Sequence, residues 1–309
     1  ENISTLQEIF GYLLVPDTSQ QKMFFLLGPP RSGKGVISRT MTQLIGLSNT
    51  SFPSMSSLGG EFGRMPLIGK QLAIVSELKL GRTDDPGKLA AILLAISGED
   101  FQSVNRKNKG FWEGKLVARF LFLGNKIPTF ADDGTALGNR LVILRMSNSF
   151  LGHEDLALEG NIKLELPGIL NWAVAGWRRL WERGHFAETA DGLDAKAEFI
   201  RLASPVLSFV HERCKLEVDQ KSPVNAKDFE TEKDALYAEY KRWCADNGRQ
   251  PETKEDFGAA LVACCAGKVR EYRPEKHKPD GTIHRPRMWK GISFEDRIPF
   301  ASNPGDPTR

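Results

Sequence analysis

Three observations predict a mixed α/β fold with a mostly parallel sheet. Short apolar runs rich in β-branched and aromatic residues alternate with helical stretches over the first 150 residues. Each run is continuously apolar and bounded by loop or turn residues, as buried strands are. From Leu156 onward the pattern changes to helix. The expected organisation is a lead-in helix in 1–20, a core in 21–150, a helical subdomain in 151–203, a small C-terminal module in 204–296 and a flexible tail in 297–309.

Ile3 to Leu14 places apolar residues at helical spacing, with Ser4 and Thr5 as caps, and stops before Val15, Pro16 and Asp17. Strands are expected at Met23 to Leu27, Gln71 to Val75, Phe120 to Leu123 and Leu141 to Leu144. Helices are expected between them at Val36 to Ile45 and Lys88 to Ile96, and strands alternating with helices imply a parallel sheet. Farther on, Ile169, Trp172, Ala173, Gly176, Trp177 and Leu180 form one apolar stripe, and Pro167 suits a first helical turn. The tryptophans of that stripe read as core.

A break near Ala203, Ser204 and Pro205 precedes further helices at Ala235 to Asp246 and Lys254 to Cys265. Lys268 to Lys290 is basic, and Pro279, Asp280 and Gly281 supply a turn between two arms that can pair. Helices followed by a basic hairpin predict a winged-helix-like module. DNA contact and a solvated surface hairpin are equally open there.

Composition sets outer bounds. With 309 residues, 40% of them hydrophobic, the chain can bury a sizeable core. A net charge of +3 does not by itself indicate a nucleic-acid partner, so any such argument rests on where the charges lie. No apolar stretch approaches the roughly 20 residues of a membrane span, and a cytoplasmic setting is expected. Cys214, Cys244, Cys264 and Cys265 lack the spacing of a disulfide scaffold; His211 and Cys214 resemble half of a zinc site, with no second half visible. A start at Glu1 instead of Met leads us to expect a larger parent polypeptide.

The chemistry concentrates in Gly28, Pro29, Pro30, Arg31, Ser32, Gly33, Lys34, Gly35 and Val36, between the first strand and the first core helix. Glycines let backbone N–H groups close around phosphate oxygens, the following helix presents its positive end, and Lys34 reaches β- and γ-phosphates. The hydroxyl that usually follows such a lysine and holds Mg²⁺ is replaced by Gly35, so metal binding leans on water and other residues.

An ATPase also needs an acid, a polar sensor and a cation for transition-state charge. Glu77, at the carboxyl end of the strand Leu72 to Val75, is the candidate base and Mg²⁺-site residue, with Ser76 before it. Asn125, after the strand Phe120 to Leu123, is the candidate sensor. Arg140, just before the last strand, is a candidate finger into a neighbouring subunit's site. Between the acidic and sensor strands, Arg106, Lys107 and Lys109 sit with Phe111 and Trp112 in a basic hairpin suited to backbone phosphates.

In order and content these segments resemble the helicase part of the phage, plasmid and poxvirus primase-helicases, in helicase superfamily 3 of the AAA+ ATPases. GPPRSGKG resembles the family's phosphate loop, LAIVSE its acidic strand and SGEDFQSVNRK its intervening motif. FLFLGNKIPTFADD resembles the sensor region, GNRLVIL the finger segment, and ELPGILNWAVAGWRRLWERGHF the signature helix after the core. The resemblance spans about Leu6 to Phe186 and is looser beyond. It implies an AAA+ P-loop core, a homo-oligomeric ring, commonly a hexamer, with ATP between subunits, and single-stranded or forked DNA as partner. It further implies 3′-to-5′ travel and a primase part N-terminal to this chain. A small-molecule kinase and a non-motor ATP-binding DNA module are the alternative readings.

Overall fold

The structure is a computed structural model describing residues 2–78, 85–128, 134–217, 229–265, 267–277 and 283–294, without the side chains of 276, 277, 283 and 284. Two compact units divide the chain, residues 1–204 and 205–309.

The first unit opens with helix α1 (Asn2–Leu14), then β1 (Met23–Leu27), α2 (Lys34–Ile45), β2 (Thr50–Ser51), the short α3 (Met55–Leu58), β3 (Leu72–Val75) and α4 (Pro86–Ser97). A hairpin follows, β4 (Phe101–Arg106) and β5 (Lys109–Lys115), and then β6 (Arg119–Gly124), α5 (Gly134–Arg140) and β7 (Leu141–Arg145). Three helices close the unit: α6 (Leu158–Leu164), α7 (Leu166–Arg183) and α8 (Ala190–Ala203).

Five strands form one sheet in the order β2-β3-β6-β1-β7, every pairing parallel, as the continuously apolar runs require. Alternate residues of each strand serve opposite faces. Phe25, Val75, Phe122 and Ile143 pack with α4, α5 and α8; Phe24, Ile74, Leu121 and Val142 pack with α1 and α7. This α/β, P-loop-like core matches the predicted fold class, with strand boundaries within a residue or so of those expected.

The α1–α7 contact is unusually close. A Cβ on Gly176 would lie 2.3 Å from the Gln7 carbonyl oxygen, and one on Gly11 would lie 2.3 Å from that of Ala173. Beside this crossing the fully buried Glu8 accepts from Arg179 Nε at 2.9 Å, Arg183 Nη2 at 2.5 Å and the Ala187 N–H at 3.2 Å. Burial of that carboxylate is tolerable because each oxygen is paired. At the other end of α1 the buried Arg119 guanidinium donates to the carbonyls of Leu13, Val15 and Asp17. The apolar stripe of α7 is as expected: Ala173, Gly176 and Leu180 are buried, with Ile169, Trp172 and Trp177 half-buried beside them.

The second unit contains α9 (Pro205–Arg213), β8 (Cys214–Leu216), β9 (Glu230–Glu232), α10 (Lys233–Asp246), α11 (Lys254–Cys264) and β10 (Arg270–Tyr272). It continues with β11 (Lys276–His277), β12 (Ile283–His284), β13 (Met288–Lys290) and β14 (Ile292–Phe294). Strands β10, β13 and β9 make an antiparallel sheet, and Phe209, Tyr240, Trp243, Phe257 and Trp289 fill the core. The two predicted basic arms do pair, Lys276 opposite His284; their turn at 279–281 and the tail 297–309 lie outside the described residues. Among the described residues no cluster of His, Cys, Asp and Glu is arranged to hold a metal ion, and no helix is long and apolar enough to cross a membrane.

Candidate nucleotide site and nucleic-acid hairpin

The loop from Gly28 to Gly33 leaves the carboxyl end of β1, between β6 and β7. Gly28 donates its N–H to Gly124 O at 3.1 Å, and Met146 donates to Leu27 O at 2.7 Å. A Cβ at Gly28 would meet the Met146 carbonyl oxygen at 2.5 Å, so only glycine passes here. Arg31 (φ 59°) and Gly33 (φ 93°) turn the chain left-handed into α2. No side chain caps that helix, and its first closed bond runs from Ile37 N–H to Gly33 O at 3.1 Å. The N–H groups of Lys34, Gly35 and Val36 thus have no acceptor within the helix, which is the donor set an anion needs.

Lys34 closes the loop on itself. Its Nζ donates to Gly28 O at 2.7 Å, Pro29 O at 2.6 Å and Ser32 Oγ at 3.0 Å. Partial burial pushes its ammonium below the usual lysine value.

The register places the other candidates relative to this loop. Leu27 on β1 pairs with Gly124 on β6, and Phe122 on β6 pairs with Val75 on β3. Asn125 therefore emerges from the strand between the phosphate loop and Glu77, all at the carboxyl edge of the sheet. Asn125 is exposed and lines a cavity of about 590 Å³ together with Pro30 through Val36 and Arg39. An adjoining cavity of about 470 Å³ is lined by Gly35, Ser38, Arg39, Thr42 and Ser76. Glu77 is exposed at the same edge, but the residue facing α2 across this cavity is Ser76.

For Mg²⁺ the donor set is lean. Gly35 has no hydroxyl, and the nearby Ser38 hydroxyl donates its proton to Gly35 O at 3.0 Å, which leaves only its oxygen lone pairs for a cation. Ser76 and Glu77 are the groups at this edge that fit a hydrated cation, with water completing the shell.

Sequence reasoning missed the far wall of the larger cavity, contributed by Phe150, His153, Glu154, Asp155, Leu156 and Glu159. Phe150 donates its N–H to Arg31 O at 3.0 Å, and Ser149 Oγ donates to Pro30 O at 2.8 Å. Two ion pairs tie the wall to the loop side, Arg31–Glu154 at 3.4 Å and Arg39–Glu159 at 2.9 Å. Arginine at 31 and 39 is the only local hint; the acidic partners lie more than a hundred positions away.

Arg140 does not join this chain's own site. It precedes β7 and so sits at the amino edge of the sheet, opposite the phosphate loop. There Nη1 donates to Leu94 O and, at 2.9 Å, to Ser97 Oγ, closing the last turn of α4. Any role in nucleotide chemistry must therefore be on a neighbouring copy.

The β4–β5 hairpin projects its turn with Asn108 in the left-handed region (φ 59°), flanked by exposed Lys107 and Lys109. Arg106 is half-buried, its Nε donating to Gly110 O at 2.8 Å. Trp112 faces inward against the core, while Phe111 faces out.

The profile of a family described as "Family of unknown function (DUF5906)" matches residues 26–140, a span holding the phosphate loop, Glu77, the hairpin, Asn125 and Arg140. No curated protein matches the chain. Among solved structures, the apo NrS-1 C-terminal region (305–718) is 14% identical, with 94% of this chain and 70% of that one covered, at a TM-score of 0.56. A second structure of that region, its A form, gives 0.54 at the same identity and coverage. The JCV helicase, also 14% identical over 64% of each chain, overlays at a TM-score of 0.33, from which nothing follows for this chain. The NrS-1 likeness establishes a shared fold.

Proposed function

We propose that this chain is the ATPase motor of a DNA helicase, acting as a homo-oligomeric ring on single-stranded and forked DNA. One observation carries the reading: the phosphate loop after β1, Asn125 after β6 and Ser76–Glu77 after β3 converge on one edge of a parallel sheet, with the sensor strand between loop and acid. That order supplies a triphosphate cradle, a polar group for the γ-phosphate and an acid beyond it.

In this reading Lys34 exchanges its loop carbonyls for phosphate oxygens, Asn125 orients the attacking water, and Glu77 accepts its proton and helps hold hydrated Mg²⁺. Arg140, at the opposite edge, serves the next subunit's γ-phosphate, which requires a ring, taken as hexameric. Lys107, Lys109 and Arg106 engage the DNA backbone. The superfamily 3 resemblance supplies the remaining details, 3′-to-5′ travel and a primase part elsewhere in the parent polypeptide.

The test is ATP turnover by the chain with and without single-stranded DNA, beside Lys34→Ala. Turnover that rises with DNA and vanishes in the variant is expected. Turnover indifferent to DNA in the assembled protein would overturn the motor, and DNA-independent phosphorylation of a small-molecule acceptor would replace it with a kinase.

A further inference from the structure

The hairpin β4–β5 has two dissimilar faces. Its inner face is anchored: Val104 is fully buried, Gln102 accepts from Arg64 Nη1 at 2.8 Å, and Trp112 packs on the core. Its outer face carries Phe101, 78% exposed, and Phe111, 65% exposed, with Ser103, Glu113 and Lys115 between them. Phe101 pairs directly with Lys115, whose Nζ stands 5.9 Å from the ring centroid.

Single exposed apolar side chains are ordinary, but here two phenylalanines are held outward on one ribbon, each mostly in water. Phe111 lies four positions from Lys115, so the rings stand about 13 Å apart along the strand, too far to cover one another. The charge around them is one-sided. Within 101–115, Arg106, Lys107, Lys109 and Lys115 stand against Glu113 alone, a net of +3 that equals the whole chain's. The rest of the molecule nets zero, its other basic stretch, Lys268 to Lys290, being offset by acidic residues elsewhere.

We infer that the outer face of the β4–β5 hairpin is a base-stacking platform for single-stranded nucleic acid, with Phe101 and Phe111 each covering one base while Lys107, Lys109 and Lys115 pair with phosphates. Flat, exposed rings beside flexible cations are what a single strand demands: every base offers a π-face, so stacking is sequence-tolerant, and phosphates supply the matching charge. A second copy of the same face is a poor occupant, because two ribbons of like charge would repel. The inference rests on the motor reading above and adds to it a second kind of contact, apolar and insensitive to salt, beside the basic tip.

The experiment is anisotropy titration of the full chain with a labelled oligothymidine of about 20 nucleotides across a salt series, for wild type, Phe101→Ala, Phe111→Ala, Phe111→Trp and Lys109→Ala. Each alanine at a phenylalanine should weaken binding about 5- to 150-fold and leave the slope of log affinity against log salt unchanged. Phe111→Trp should hold or improve affinity, and Lys109→Ala should reduce the slope by about 0.7. Both phenylalanines are exposed, so these variants should fold; the tryptophan variant confirms it.

Wild-type affinity in both alanine variants would overturn the platform, as would a loss that appears only as a changed salt slope. A shift in sedimentation with binding per assembly unchanged would reassign the face to contact between copies. If the alanine variants bind normally while DNA still stimulates Lys34-dependent turnover, the platform falls and the motor stands; if the assembled wild type binds no oligothymidine with or without ATP, both fall.

Discussion

Replacing Gly176 by alanine tests how α7 is held against α1. The added Cβ would sit 2.3 Å from Gln7 O and 2.5 Å from Gln7 C, where ordinary contact begins near 3.4 Å. Both atoms are backbone, so no rotamer change relieves the clash, and the helices must separate by about 1 Å, an overpacking strain of ~3 kcal/mol, the upper end of the usual range. Separation would also lengthen the bonds from Arg179 and Arg183 to Glu8, one turn away along the same contact. For a unit of about two hundred residues, that cost lowers the midpoint of thermal unfolding by roughly 6–12 °C. Circular dichroism melts of Gly176→Ala beside Gly168→Ala, at the open first turn of the same helix, check it. Gly168 has nothing within 4 Å of its virtual Cβ, so the same chemical change there should be neutral or stabilise by up to about 1 kcal/mol. If the two variants melt together, the close crossing is not what limits this contact.

Other expectations follow from the site. Glu77→Gln should abolish ATP turnover and leave nucleotide affinity within about threefold, measured by equilibrium binding beside initial rates; retained turnover would remove Glu77 from the chemistry. Lys34 binds phosphate only as an ammonium, and burial has lowered its pKa, so nucleotide affinity should fall with rising pH before the ordinary lysine value is reached. Lys34→Arg should abolish that alkaline fall, and a fall that persists in the arginine variant would assign it to another group. Arg140→Ala should cost about 1–2 kcal/mol through the lost closure of α4 and should also lose turnover. Mixing it with Lys34→Ala protein should restore part of that turnover if the arginine serves a neighbour, and no recovery would confine Arg140 to its structural bonds.

The parallel sheet was legible because buried strands are written in contiguous residues: Met23 to Leu27 and Leu141 to Leu144 announce themselves without knowledge of their neighbours. The tight glycine loop after β1 was legible for a similar reason, since Gly28 and Gly33 answer local backbone demands. What stayed hidden depends on pairing across long sequence separations. Nothing beside Glu8 indicates that Arg179 and Arg183 await it, nor beside Arg39 that Glu159 does. For Arg140 its place just before β7 was legible while its bonds to Leu94 and Ser97 of α4 were not. On the hairpin, composition marked Phe111 and Trp112 alike; only strand alternation against the core separates the outward ring from the inward one, and it brings Phe101 into view.

Helix α1 is fastened by charges belonging to later parts of the chain, Arg179 and Arg183 onto Glu8 at its middle and Arg119 onto the carbonyls of Leu13, Val15 and Asp17 at and just past its end. Those fastenings make residues 2–17 a keystone of the first unit. Trimming the polypeptide to begin at Gln20 would strip a sheet face of Ile9, Tyr12 and Leu13 and leave a guanidinium enclosed at the root of β6, the strand that delivers Asn125. A shortened protein of that kind should misfold around β6, so any trimmed version of this unit must keep α1.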